Sequence, residues 1–262
     1  MAALDVLQVR PPPADDDDDR GIRERIDSLP DPLPKPPFLW VLMGSVRSGK
    51  SVFISNAIHR WYGPLHGTQH GRSQRPAAAR VFSRIVYCSP TVEQDDSLWH
   101  LREPALALDA DVAVVSGHRL DDLDASVEAI VENKMAAGPS AREQWLLVLD
   151  DCLGLLRLSG PKAFVTHFAT RYRHARVSLL ISCQQLRALP PTIRANASAY
   201  CIWRSANGRE RAKLEEEFGE VVPDFLRLYD EATAEPYHFL FLDLRRLRAF
   251  ADLTRPLFDA ST

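Results

Sequence analysis

A chain of 262 residues with 45% apolar and 8% aromatic side chains can bury one large α/β core plus a tail, or at most two small domains. Its apolar runs reach only about six to eight residues, too short to span a bilayer, so no membrane partner is expected. The net charge of −3 hides an imbalance: residues 1–37 hold nine acids and five bases, which leaves a near-neutral remainder whose arginines cluster, as suits contact with phosphates.

The chain opens with Pro11 to Pro13, five aspartates from Asp15 to Asp19, and then Pro30, Pro32, Pro34, Pro36 and Pro37. Such a segment cannot bury enough apolar surface to offset its ordering entropy. Residues 1–37 are therefore expected to be a disordered or peripheral acidic, Pro-rich arm, with one short turn at Glu24 to Leu29. The aspartates read as a solvated tail or, more sharply, as a competitor for a basic nucleic-acid groove. No basic-then-apolar leader precedes a small-residue cleavage site at Met1, so an intracellular, soluble protein is expected.

From Phe38 the composition changes. The apolar run Phe38 to Met43 leads into Gly44-Ser45-Val46-Arg47-Ser48-Gly49-Lys50-Ser51, and the pattern Val52-Phe53-Ile54, Ala57-Ile58, Trp61 follows. Strand, anion cradle and helix is the context that a phosphate-binding loop requires. Gly44 and Gly49 let backbone N–H groups turn toward phosphate oxygens, and the positive end of the next helix faces the same anion. Lys50 supplies a mobile charge for the β- and γ-phosphates, and the Ser51 hydroxyl is a Mg²⁺ ligand. The chain has five lysines against 27 arginines, so a lysine at this position is informative. A nucleoside triphosphate is the expected ligand.

Residues 62–80 have no apolar periodicity and read as a functional loop or a disordered insertion. His66 and His70 stand in it without helical context, so no metal site is expected there. Beyond it the body alternates strand-like runs at 84–88, 111–115, 145–150, 177–183, 199–203 and 237–243 with helical patterns at 92–101, 121–136, 161–173, 186–195, 208–218 and 223–230. Thr91 and Gln94 form a capping box for the first of these helices. The alternation predicts an α/β fold with a mostly parallel sheet flanked by helices on both faces, ligands sitting at the carboxyl ends of the strands. Cys88, Cys152, Cys183 and Cys201 fall in or beside apolar strands with no C-x-x-C spacing, and read as core thiols.

Trp145 to Leu149 is a strand that ends in Asp150 and Asp151. Asp150 is placed to hold Mg²⁺ opposite Ser51, and Asp151 to orient or deprotonate an attacking water. The 100 residues between Lys50 and Asp150 leave room for an extra strand, 84–88, as in ATPases that use water as nucleophile in oligomeric rings. The strand 177–183 ends in Gln184, a side chain able to bind both the γ-phosphate and the water.

Gly44 to Ser51, the Asp150-Asp151 pair, Arg173-His174, Gln184 and the stretch Leu189 to Asn196 occur in an order that resembles the poxvirus-type genome-packaging ATPases of large DNA viruses, within the FtsK–HerA superfamily. The resemblance runs from about Phe38 to Leu244; the length of the 62–80 loop departs from it. It implies a RecA-like core for residues 38–262, hydrolysis of Mg²⁺-ATP, a homo-oligomeric ring, sequence-independent contact with double-stranded DNA, and a capsid or portal partner. The expected location is then the host cytoplasm or nucleus at sites of virion assembly, or the virion. Ring motors complete each site with an arginine from the neighbouring subunit; Arg171, Arg173 and Arg194 are candidates, of which Arg173 and Arg194 match the resemblance. Arginines of 72–84 and 204–211 are candidates for DNA contact. A P-loop nucleoside or nucleotide kinase and a non-hydrolysing ATP-binding scaffold are the alternative readings.

Overall fold

The computed structural model of the chain describes residues 23–62, 81–91, 111–115, 123–136 and 143–261. The arm before residue 23 with its aspartate run, residues 63–80 of the long loop, and the expected helix at 92–101 with Gln94 lie outside the described residues.

Six apolar runs form the parallel strands β1 (Leu39–Met43), β2 (Arg84–Cys88), β3 (Asp111–Val115), β4 (Trp145–Leu149), β5 (Val177–Cys183) and β6 (Ala199–Trp203). Three antiparallel strands extend the sheet, β7 (Phe239–Asp243), β8 (Arg248–Ala251) and β9 (Arg255–Asp259). Among the described residues the order is β3-β2-β4-β5-β1-β6-β7-β8-β9. β1, β5 and β6 are buried along their whole length, and their sequences are apolar rather than alternating because both faces are covered.

The two faces build two cores. Leu39, Val41 and Met43 point into one, with α2 (Leu123–Ala136), α3 (Phe164–Phe168), α4 (Pro191–Asn196), α5 (Gly208–Phe218) and α6 (Phe225–Ala232). Trp40 and Leu42 point into the other, beneath α1 (Lys50–Asn56) and the wider π-type turn that continues it, Ala57–Tyr62. The mostly parallel sheet with helices on both faces is thus as the alternation predicts. Two expected helices are shorter than their patterns. The run at 186–195 is broken at Pro190, and α4 starts at Pro191, where the missing N–H costs nothing. The run at 161–173 is regular only over α3.

Residues 23–37, counted with the arm in the sequence reading, pack against the body. Leu29 and Leu33 are buried in the core under α1, and the Tyr62 hydroxyl donates to the Pro34 carbonyl at 2.7 Å. Asp31 accepts from Arg246 and from both terminal nitrogens of Arg248, each at 2.7 Å. The few apolar side chains between the prolines are thus used at the edge of the core, so this part is a packed strap rather than an unfolded tail.

Candidate active site

The site lies where β4, β5 and β1 end side by side, because β5 runs between the other two. The strand that separates the phosphate loop from the acid pair is therefore β5, which ends just before Gln184; the extra strand expected at 84–88 forms as β2 and pairs with the other edge of β4. The Gly44 N–H donates to the Cys183 carbonyl at 3.1 Å and ties the loop to β5. A Cβ on Gly44 would stand 2.6 Å from Ser48 Oγ and 2.9 Å from Trp203 Cβ, so only glycine fits here. Gly49 takes φ 100°, which turns the chain into α1. Phe53 anchors α1 beneath the loop, edge-on to Trp40 at 5.3 Å and Phe239 at 5.1 Å.

Lys50 is buried, and its Nζ donates to the Gly44 carbonyl at 2.7 Å and the Ser45 carbonyl at 3.0 Å. The lysine is thus folded back into the cradle that its own loop forms. Ser48 Oγ is buried with no hydrogen-bond partner among the described residues, a polar atom a phosphate oxygen would satisfy. Val46 and Arg47 lie at the exposed tip.

Asp150 sits immediately after β4 and is fully engaged. Oδ2 accepts from Ser51 Oγ at 3.0 Å and from the Tyr87 hydroxyl at 2.7 Å; Oδ1 accepts from Ser182 Oγ at 2.5 Å. Ser182 Oγ also accepts the Asp151 N–H at 3.0 Å, which helps to hold Asp151 in a left-handed conformation at φ 51°. Partial desolvation raises the Asp151 carboxyl above its ordinary range; attraction to Lys50 opposes this, repulsion from Asp150 adds to it, and a hydrogen bond from Gln184 lowers it again. Lys50, Ser51, Asp150, Asp151 and Gln184 therefore form one constellation.

Tyr87 and Ser182, which hold Asp150, were not anticipated. The signal was present: a serine in a buried apolar strand must find a partner, and Ser182 stands next to the strand that carries the acids.

Among the described residues no group of three or more His, Cys, Asp or Glu is placed to hold a metal. The Ser51 hydroxyl and Asp150 carboxylate are hard oxygen donors of the kind Mg²⁺ takes from a protein, its other positions filled by phosphate and water. The donor set fits that ion.

The candidate arginines are not part of this constellation. Arg173 precedes β5 and Arg194 precedes β6, so both lie where strands begin, about 15 Å or more from the loop at ~3.3 Å per residue. Arg194 is paired with Glu217 of the same chain, whereas Arg173 meets Tyr172, its Nε 3.1 Å from the hydroxyl. Arg171 stands over Phe164 at 6.0 Å. Of the DNA-contact candidates, Arg211 is bound by both carboxylate oxygens of Asp230, Arg204 faces the Thr233 and Ala234 carbonyls, and Arg84 lies over Trp145.

No protein-family model and no curated protein matches the chain. Solved structures do. The genome-packaging NTPase B204 of Sulfolobus turreted icosahedral virus 2, bound to ATP-γ-S, aligns with a TM-score of 0.54 at 16% identity, over 82% of this chain and 97% of that one. The likeness is one of fold. The same protein with AMP gives 0.53 at 17% identity, over 86% and 100% of the two chains. The DNA-packaging ATPase B204 of Sulfolobus turreted icosahedral virus gives 0.52 at 16%, over 82% and 96%. The likeness spans nearly the whole of those proteins.

Proposed function

We propose that this chain is an ATP-hydrolysing subunit of a motor that drives double-stranded DNA into a capsid. The observation that carries the reading is the contact of Ser51 with Asp150 beside the buried Lys50, with Asp151 and Gln184 next to them. Lys50 would exchange its two loop carbonyls for phosphate oxygens, and the loop N–H groups would receive the rest of the anion. Ser51 and Asp150 would hold Mg²⁺, which offsets charge on the triphosphate. Asp151, with a carboxyl raised above its ordinary range, is suited to take a proton from water, and Gln184 orients that water while it feels the γ-phosphate. A second acid hydrogen-bonded to Gln184 favours water over a small-molecule acceptor, and so hydrolysis over kinase chemistry.

The solved relatives named as genome- and DNA-packaging enzymes support DNA as the partner. A body of about 225 residues has a radius of gyration of roughly 17 Å, too small to encircle a duplex, so several copies are required. In such a ring Arg173, which stands outside the constellation of its own chain, is the residue we assign to a neighbour's loop. The groove between α2 and α3 presents Arg157, Lys162 and Arg171 alongside Asp124 and Glu128, and these cations are available to backbone phosphates. No described helix is long and apolar enough to cross a membrane.

The test is ATP hydrolysis by the purified chain with and without linear duplex DNA over a range of salt. The rate should rise with DNA of any sequence, and the stimulation should fall steeply as salt increases. A rate indifferent to DNA at low salt would leave the motor reading without support.

A further inference from the structure

We propose that Tyr237 is the stacking platform for the base of the bound nucleoside triphosphate, a purine in preference to a pyrimidine. This rests on the nucleotide-binding reading above and adds to it the half of the ligand that the phosphate loop does not touch. A cavity of about 400 Å³ opens beside the loop, between Arg47 and Ser48 on one side and Trp203, Arg204 and residues 233–238 on the other. Tyr237 lies in its wall and is 73% exposed, the highest value among the described large hydrophobic side chains. Its Cδ1 would be 3.5 Å from a Cβ on Gly49, so the ring abuts the end of the phosphate loop.

The backbone of Tyr237 is in the left-handed region at φ 69°, a conformation disfavoured for a bulky side chain. Neighbours enforce it. The Tyr237 carbonyl accepts from Trp203 Nε1 at 2.9 Å, and the next residue is pinned by a 2.7 Å contact between His238 Nδ1 and Asp252 Oδ2. A strained residue held by its surroundings, with an aromatic ring turned to solvent at the mouth of a cavity, is a feature that a stacked ligand explains and packing does not. A triphosphate seated on Lys50 leaves its nucleoside beside this ring. A flat purine gains more overlap with the phenol than a pyrimidine does.

The experiment measures calorimetric affinities of the full chain for ATP, CTP and inorganic tripolyphosphate, in the parent and in Tyr237→Ala and Tyr237→Phe. Removal of the ring should weaken ATP about tenfold and leave tripolyphosphate unchanged, whereas Tyr237→Phe should bind ATP as the parent does. The parent should bind ATP more tightly than CTP. Three results would overturn the platform: Tyr237→Ala binding ATP like the parent, an equal loss of tripolyphosphate, or a change confined to sedimentation, which would make the ring a subunit contact. A parent that binds neither ATP nor tripolyphosphate would instead sink the loop assignment beneath it.

Discussion

The Ser51 hydroxyl lies 3.0 Å from Asp150 Oδ2, although 99 positions separate the two residues in the chain. The contact joins the first turn of α1 to the end of β4 across the intervening β5. Tyr87 and Ser182 donate to the same carboxylate, so the residue that would face the metal is also a structural junction.

Asp150→Ala should therefore fail twice. It removes an acceptor that the Tyr87 and Ser182 hydroxyls share, at a cost of about 2 kcal/mol, and it removes the carboxylate proposed to hold Mg²⁺. Asp150→Asn keeps the shape and part of the acceptor capacity, so it should unfold closer to the parent while losing turnover. Urea unfolding beside an ATPase assay separates the two effects. An Ala variant as stable as the parent would contradict the network.

Asp151 should behave differently. Its carboxyl is raised above the ordinary 3.8, so the fold favours the protonated form. The charged form is therefore a cost that is absent well below pH 3.8, grows as pH rises from 3.8, and is complete above the raised value. Asp151→Asn should melt with the parent at strongly acid pH and slightly above it at neutral pH. If Asp151 is the base, turnover falls as pH drops through the same raised value, and the variant keeps ATP binding but loses that acid limb with its activity. Melting curves and rate profiles across acid to neutral pH check both signs. A variant less stable than the parent at neutral pH would reverse the argument.

Much of this was legible in the residues. The loop Gly44 to Ser51 is a local structure, and the runs at β4 and β5 are apolar because both faces of the sheet are covered, so pattern alone located the strand ends that meet. What pattern could not supply was lateral order. Nothing in a linear reading puts β5 between β1 and β4, and hence Gln184 between loop and acids. The hairpin of β8 and β9 was missed for another reason: Arg245, Arg246 and Arg248 break its apolar run, and such charge is typical of strands near a sheet edge. The strap from residue 23 was hidden by its prolines, since Leu29 and Leu33 are too few to form a periodic signal.

Gly44→Ala is a test of the loop that leaves every charged group in place. The added methyl would stand 2.6 Å from Ser48 Oγ and 2.9 Å from Trp203 Cβ, so the loop must move. Nucleotide binding, followed by fluorescence of a labelled ATP, should be lost while thermal unfolding changes by about 1 kcal/mol or less. Retained binding would show that the loop closes on its ligand from another geometry.

The two arginines proposed to act in trans make opposite predictions. Arg194 is held by Glu217 within its own chain, so Arg194→Ala should cost roughly 1 kcal/mol of stability. Arg173 has no acid partner among the described residues, so Arg173→Ala should spare stability and ATP binding yet lose turnover. Mixing Arg173→Ala subunits with Asp151→Asn subunits should then restore part of the rate, because some interfaces pair an intact loop with an intact arginine. No recovery on mixing, with assembly confirmed by sedimentation, would remove Arg173 from the site.

Asp31 ties the strap to the last strands of the sheet, and its effect on stability has a sign that acid can reveal. The hydrogen bond from Arg248 holds its carboxyl below the ordinary 3.8, with Arg246 adding to the effect, while partial burial opposes them. A lowered acid contributes stability that is present above pH 3.8 and is lost as pH falls through the still lower folded value. Asp31 is 57% exposed, so solvent screens the pair and the expected loss in Asp31→Asn is about 0.5–1 kcal/mol at neutral pH and low salt. The deficit should shrink in high salt and shrink again as pH falls through the lowered folded value, where the parent carboxyl becomes neutral as well. Arg248 keeps Asp243 at 3.2 Å in the variant, so β8 should stay in the sheet and the loss should be confined to the strap. Hydrogen exchange should accordingly accelerate at the strap amides of Leu29 and Leu33 and stay unchanged in β7. Equal acceleration in β7 would mean that the strap is not a separate unit but part of the cooperative core.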